Sequence, residues 1–264
     1  MSQPVIVVFY QVKAGNADTE WEDCAGHDSD ARGARCIVVD GATEAYDSVR
    51  WVGQLVESFL GIDELGATPR LTRKAMDDWF RIMQDRWVAN APATFSSIFE
   101  ERKFREDGSF ATLLACELND LDGPQPRWIG AALGDTVLFH VRECALVTHF
   151  PDLGSDDFGL NPDGVFTQPS ARERMRSRLL LANGDLAVGD HLFMATDAIA
   201  EWMVRRSLSD GPRFWRVLCE LDSFDEFQRI VADRRRSGEM KNDDVTLMRV
   251  EITASDPDIL VVGQ

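Results

Sequence analysis

At 264 residues, 44% of them hydrophobic, the chain is long enough to bury a substantial core and suits one large α/β domain or two small ones, of which a single domain spanning 1–264 is expected. Acidic residues outnumber basic ones 45 to 28, and the formal charge of −17 argues against a nucleic-acid or anionic-membrane surface, since both call for a positive field. The five cysteines, Cys24, Cys36, Cys116, Cys144 and Cys219, are odd in number and form no Cys-x-x-Cys pair, so neither a disulfide framework nor a zinc ribbon is indicated and a reducing compartment fits best.

The first apolar run, Val5–Tyr10, reads as a strand; it is too short for a secretory h-region or a membrane span, and a cytoplasmic protein is expected. A second strand, Cys36–Val39, runs into Asp40-Gly41. Val49, Val52, Val56 and Phe59 then recur at helical spacing. So do Met76, Trp79, Phe80, Met83 and Trp87, preceded by Thr68-Pro69 as an N-cap with proline at the first helical position. Strands follow at Phe110–Leu118, Trp128–Leu133, Val137–Val141 and Leu192–Ala195. A helix after Asp197 places Ile199, Trp202 and Met203 on its buried side. Ser223 and Glu226 form a capping box ahead of Phe227, Ile230 and Val231, and Val245–Ile252 is the last strand. The arginines at 172, 174, 176 and 178, and those at 234 to 236, read as the decoration of exposed helices. No repeat or Pro/Gly/Ser-rich linker divides the chain, and the mixed order favours packed sheets flanked by helices over a doubly wound parallel sheet.

Carboxylates mark the ends of these strands. Asp40 closes Cys36–Val39, Asp135 closes Trp128–Leu133, Asp197 closes Leu192–Ala195, and Asp243-Asp244 opens Val245–Ile252; Glu22-Asp23 lies ahead of the Asp40 strand. Aspartate at a strand end also forms turns and caps, and Asp-Gly is a favoured hairpin turn, the simplest reading of the four other Asp-Gly pairs. If the ends converge instead, their repulsion calls for cations among them, and an all-oxygen donor set suits Mg²⁺ or Mn²⁺ rather than zinc.

In chain order these residues resemble the metal-dependent serine/threonine protein phosphatases of type 2C, most closely a bacterial branch. Glu22-Asp23 is similar to the family's early ED, Ile37-Val38-Val39-Asp40-Gly41 to its strand ending in DG, and Gly108-Ser109-Phe110-Ala111-Thr112 to its small-residue strand start. Leu133-Gly134-Asp135-Thr136 resembles the GDS motif, Met194-Ala195-Thr196-Asp197-Ala198 the TDG motif, and Asp243-Asp244-Val245-Thr246 the DN-x-T motif.

The resemblance implies an α+β, four-layer α-β-β-α sandwich of two antiparallel sheets, with metals in a cleft at one end. It implies catalytic roles for Asp40, Asp197 and Asp243: Asp40 bridging two Mn²⁺ or Mg²⁺ ions, the Gly41 carbonyl binding one, Asp197 and Asp243 completing the other. Glu22 would act through metal-held water, Asp135 would help hold a weaker third ion, and Asp23 would support the set from behind. Two ions ~3.5–4 Å apart would polarise a shared water for in-line attack on phosphoserine or phosphothreonine. The implied partner is a phosphorylated protein, in opposition to a serine/threonine kinase, with neither nucleic acid nor membrane involved.

The chain departs from the family at Ala42, where some members carry a histidine, and at 18–20, where Asp-Thr-Glu stands in the region of a phosphate-binding arginine; Lys13 is the nearest basic residue upstream. These departures leave open a phosphatase-like module that binds and regulates a phosphoprotein or kinase. His27, His140, His149 and His191 have no evident serine or cysteine partner and are placed outside the site.

Overall fold

Side-chain alternation along the strands decides the architecture. The computed structural model describes residues 2–30, 33–43, 45–62, 68–159 and 162–254. One antiparallel sheet has the spatial order β1 (Ser2–Gln11), β11 (Val245–Ala254), β10 (His191–Ala195), β6 (Val137–Arg142) and β7 (Ala145–Phe150). The other runs β2 (Asp23–Asp30), β3 (Gly33–Gly41), β4 (Phe110–Asn119), β5 (Arg127–Leu133) and β9 (Leu180–Asp185), with β8 (Val165–Phe166) paired to β4.

One parity of each central strand meets the opposite sheet. Ala34, Cys36 and Val38 of β3 and Leu114, Cys116 and Leu118 of β4 pack against Leu192 and Met194 of β10 and Met248, Val250 and Ile252 of β11. The other parity faces helices. Ile37, Val39, Leu113 and Ala115 bury against α1 (Ser48–Leu60) and α2 (Arg73–Ala89), through Trp51, Leu55, Phe59, Met76, Trp79, Phe80, Met83 and Trp87. Two short helices, α3 (Ile98–Arg102) and α4 (Arg172–Arg178), complete that side. On the far side Phe139, Phe193 and Leu247 pack against α5 (Asp197–Asp210), α6 (Pro212–Cys219) and α7 (Phe224–Arg236), through Trp202, Trp215 and Phe227. The result is the four-layer α-β-β-α sandwich. Each fully buried aromatic or aliphatic side chain contributes roughly 1.5–3 kcal/mol, so the three apolar layers dominate its stability.

The sequence reading differs from this structure at particular points. The N-cap of α2 is Thr72, whose Oγ1 accepts the Ala75 N–H at 3.3 Å, not Thr68. Val49 is 48% exposed, because Ser48, Trp51, Val52, Leu55, Val56 and Phe59 fill the buried face of α1. Strands β2, β7 and β9, none of them anticipated, are all sheet edges. An edge strand buries little and tolerates charge, so β2 reads Asp-Cys-Ala-Gly-His-Asp-Ser-Asp with no apolar run to reveal it.

Candidate metal centre

The stride of two that builds the inter-sheet core does not stop where the core does. On β3 the residue after Ala34, Cys36 and Val38 on that face is Asp40. The same step from Leu114 on β4 reaches Thr112, from Met194 past the end of β10 reaches Thr196, and from Met248 on β11 reaches Thr246 and then Asp244. Register aligns them, with Asp40 opposite Asp23 on one side and Thr112 on the other. A polar layer therefore closes one mouth of the sandwich. A strand of apolar residues can end on a carboxylate because that end has left the core.

Hydrogen bonds tie the layer together. Asp23, 3% exposed, accepts from Thr246 Oγ1 at 2.7 Å and Thr196 Oγ1 at 3.1 Å, joining the two sheets through one carboxylate oxygen; its Oδ1 is buried without a partner. Thr196 Oγ1 in turn accepts the Thr246 N–H at 2.9 Å, and the Thr112 and Thr136 hydroxyls lie 2.6 Å apart. Asp244 accepts the N–H groups of Lys13 and Glu22, each at 2.7 Å, so it fixes the β1–β2 connection against β11. Glu22 Oε1 accepts from Ser48 Oγ at the start of α1, at 2.7 Å, and the Glu22 carbonyl accepts the Gly41 N–H at 3.2 Å. Gly41 has to be glycine here: an added Cβ would stand 2.7 Å from the Glu22 carbonyl oxygen. Gly134, at φ +107, makes the turn that carries Asp135; a Cβ there would meet the Asp163 carbonyl at 2.5 Å and Thr112 at 2.6 Å.

Of the remaining carboxylates, Asp197 and Asp243 are partly exposed at the rim, and Asp135 is buried. Asp197 is the first residue of α5, where the helix dipole favours negative charge, and its Oδ2 is 3.7 Å from Lys241 Nζ. Asp243 Oδ1 is 3.5 Å from Lys13 Nζ, and its carbonyl accepts from Arg235. Asp135 is 4% exposed, and its Oδ1 is buried without a partner.

The electrostatics show that these groups feel one another. Burial, then the charges of Asp23, Asp197, Asp135 and Asp243, push the Asp40 carboxyl well above its ordinary range, although part of the residue still reaches solvent. Asp23 is pushed up to about 8, first by burial and then by Asp244 and Asp197, against the hydroxyl bonds that oppose the shift. Asp135 is pushed up to about 7 by burial and by Asp197, with Lys241 opposing. Asp197 is raised by burial and by Asp243, again with Lys241 opposing.

Asp23, Asp40, Asp135, Asp197 and Asp243, from strand ends far apart in the chain, thus share one region, with Glu22 and Gly41 beside it. As the side chains stand, no three His, Cys, Asp or Glu among the described residues are close enough together to hold a metal ion. Several of these side chains engage other groups instead, Asp23 two threonines, Glu22 a serine, Asp243 a lysine and Asp197 a lysine. The donor chemistry still fits hard cations: every donor is oxygen, and two buried carboxylate oxygens lack partners.

Asp244, Ser48 and the four threonines were not among the anticipated site residues, although strand parity points to Thr112, Thr196, Thr246 and Asp244. Lys241 carries no such signal. Among the histidines, His140 is buried on Asp190 at 2.9 Å, His149 pairs with Asp152 at 3.2 Å, and His191 lies 3.9 Å from Glu251.

No protein-family model matches the chain, and no curated protein matches it in sequence. Solved structures match it in fold. One is the catalytic domain of the serine threonine protein phosphatase PstP in complex with 2 manganese ions, at TM-score 0.62 and 14% identity, covering 96% of this chain and 100% of that one. Another is the Mycobacterium tuberculosis serine/threonine phosphatase PstP/Ppp, at TM-score 0.63 and 12% identity, with coverage of 96% and 100%. A third is RsbX in complex with magnesium, at TM-score 0.56 and 11% identity, with coverage of 95% and 96%. The chain has the fold of the bacterial type 2C phosphatases.

Proposed function

We propose that this protein is a Mn²⁺- or Mg²⁺-dependent phosphatase that hydrolyses phosphoserine or phosphothreonine on a protein and so opposes a serine/threonine kinase. The observation that supports it most is the meeting of Asp40 with the charges of Asp23, Asp135, Asp197 and Asp243 at one mouth of the sandwich. Such a cluster is costly unless something neutralises it.

Asp40, Asp197 and Asp243, the Gly41 carbonyl and Glu22 are the groups that would hold two ions, with Asp135 the donor open to a weaker third. Divalent ions bound there would supply Lewis-acid activation of water and neutralise the phosphoryl oxygens. The chain's own part is positioning. Asp23, clamped by Thr196 and Thr246, holds β2 against the opposite sheet and keeps its carboxyl beside Asp40. Asp244 holds the Glu22 backbone through its N–H, and the Glu22 carbonyl holds the Gly41 N–H. Cys24, the thiol next to Asp23, is pushed up to about 11 by burial and then by that charge, so it offers no thiolate nucleophile near neutrality. Direct attack by water is the route these groups favour.

Hydrolysis of p-nitrophenyl phosphate and of a phosphothreonine peptide, with and without Mn²⁺, tests the proposal. Turnover that needs Mn²⁺ and falls at least about a hundredfold in Asp40→Asn is the expected result. No Mn²⁺-dependent turnover in the wild type would reject it.

One observation favours a second reading, a weakly active module that binds a phosphoprotein or kinase. The cations beside the cluster are engaged within the protein: Lys13 by Asp243, Lys241 by Asp197 and Glu201, and Arg235 by the carbonyls of Gln11, Val12 and Asp243. Phosphopeptide binding that persists in Asp197→Asn, with no turnover in the wild type, would select this reading.

A further inference from the structure

Lys241 is the one residue near the carboxylates that brings a positive charge to their Asp135–Asp197 edge among the groups that perturb either carboxyl. Asp197 and Glu201 lie one turn apart on α5, and the Lys241 ammonium spans them, 3.7 Å from Asp197 Oδ2 and 2.9 Å from Glu201 Oε2. The two carboxylates are well shielded, with 19% and 15% of their side-chain surface exposed. The lysine's backbone is fixed on both sides. Met240 is buried and its N–H donates to the Arg234 carbonyl, while the Asn242 amide bonds the Ala14 N–H at 2.8 Å and the Ala14 carbonyl at 3.2 Å. The fold thus places the Lys241 backbone beside this edge, and the side chain, 42% exposed, reaches in to the two carboxylates.

Asp135 supplies a second, independent observation. It is almost fully buried, its Oδ1 has no partner, and its environment includes the charges of both Asp197 and Lys241. A further divalent ion placed between Asp135 and Asp197 would use that oxygen, and it would stand against the positive charge of Lys241.

We infer that Lys241 is a built-in counter-ion, occupying the electrostatic role of a further divalent cation at the Asp135–Asp197 edge, so that Asp135 holds no additional ion while Asp197 stays with Asp40 and Asp243 in the two-ion set. The inference rests on the metal-binding part of the proposed function, and it replaces the weakly held third ion that the resemblance implied at Asp135. Lys241 acts as a positioning residue through the carboxylates it neutralises.

Mn²⁺ titration of the purified full chain, read by the electron paramagnetic resonance signal of free Mn²⁺, tests it without relying on turnover. Lys241→Met removes the charge and keeps the stem. The variant should bind one Mn²⁺ more per chain than the wild type, or bind its weakest ion at least about tenfold more tightly, as expected for losing a like charge within a few ångströms of a partly shielded site. Adding Asp135→Asn should abolish the gain, and Lys241→Arg should bind as the wild type does. Lys241→Gln gives the same readout should the methionine variant fail to fold. Unchanged stoichiometry and affinity in a folded variant, or a gain that survives Asp135→Asn, would overturn the inference while leaving metal binding by the wild type intact. Absence of Mn²⁺ binding in both wild type and variant would remove the metal reading together with it.

Discussion

Replacing Asp23 by asparagine should flatten the pH dependence of stability in the metal-free protein. The folded carboxyl titrates at about 8, against an ordinary value of 3.8, because it is buried beside other carboxylates. Between those values the folded chain holds a proton that the unfolded chain has released, so stability falls as pH rises and stops falling above about 8. Each pH unit in that window costs ~1.4 kcal/mol per retained proton, so raising the pH from about 5.5 to about 8 removes up to about 3 kcal/mol through this one group. Asparagine keeps the oxygen that accepts from Thr246 and Thr196 and has no proton to lose. Its amide meets no acceptor where Asp23 Oδ1 has no donor, a pH-independent cost of about 1 kcal/mol. Urea unfolding in EDTA at the two pH values measures the difference. The wild type should lose about 3 kcal/mol more than Asp23→Asn across the window. Parallel curves would show that the buried carboxyl does not carry the strain assigned to it.

Two further perturbations probe the parts that hold the mouth of the sandwich and its far edge. Gly41→Ala puts a Cβ 2.7 Å from the Glu22 carbonyl, so β2 has to shift from β3; a loss of about 1–3 kcal/mol in urea unfolding is expected, together with weaker Mn²⁺ binding. Asp190 is fully buried and accepts from Arg142, His140 and the Ala187 N–H, bonds that hold its carboxyl well below the usual range although burial alone would raise it. Asp190→Asn should cost about 3 kcal/mol or more, and because a depressed carboxyl stabilises above its unfolded value, the deficit should narrow as pH falls below about 4 in an acid-unfolding series.

The aromatic face of α2 and the Ser223 N-cap of α7, one half of the expected capping box, were legible because both are local. Met76, Trp79, Phe80, Met83 and Trp87 follow the helical period and are all buried, and Ser223 Oγ accepts the Glu226 N–H at 3.1 Å. The central strands and the edge strand β1 announced themselves by apolar runs, whereas the edge strands β2 and β9 carry charge and glycine, since an edge strand need not be apolar; β7 went unread although it holds Leu146, Val147 and Phe150. The Thr68-Pro69 signal for α2 was misleading for a related reason: several residues ahead of a helix can cap it, and Thr72 is the one whose hydroxyl reaches an unpaired N–H.

The candidate site divides in the same way. Residue types and strand parity already place carboxylates and threonines at the ends of particular strands and on the inward face, because that depends on a period of two along each chain segment. Which ends meet depends on sheet order and register, which bring Asp23 opposite Asp40 and set both against β10 and β11. Only that long-range packing could bring in Lys241, from a loop that neither alternation nor helical spacing describes, and only it could shift the carboxyl groups, since burial and repulsion are properties of the assembled mouth rather than of any strand.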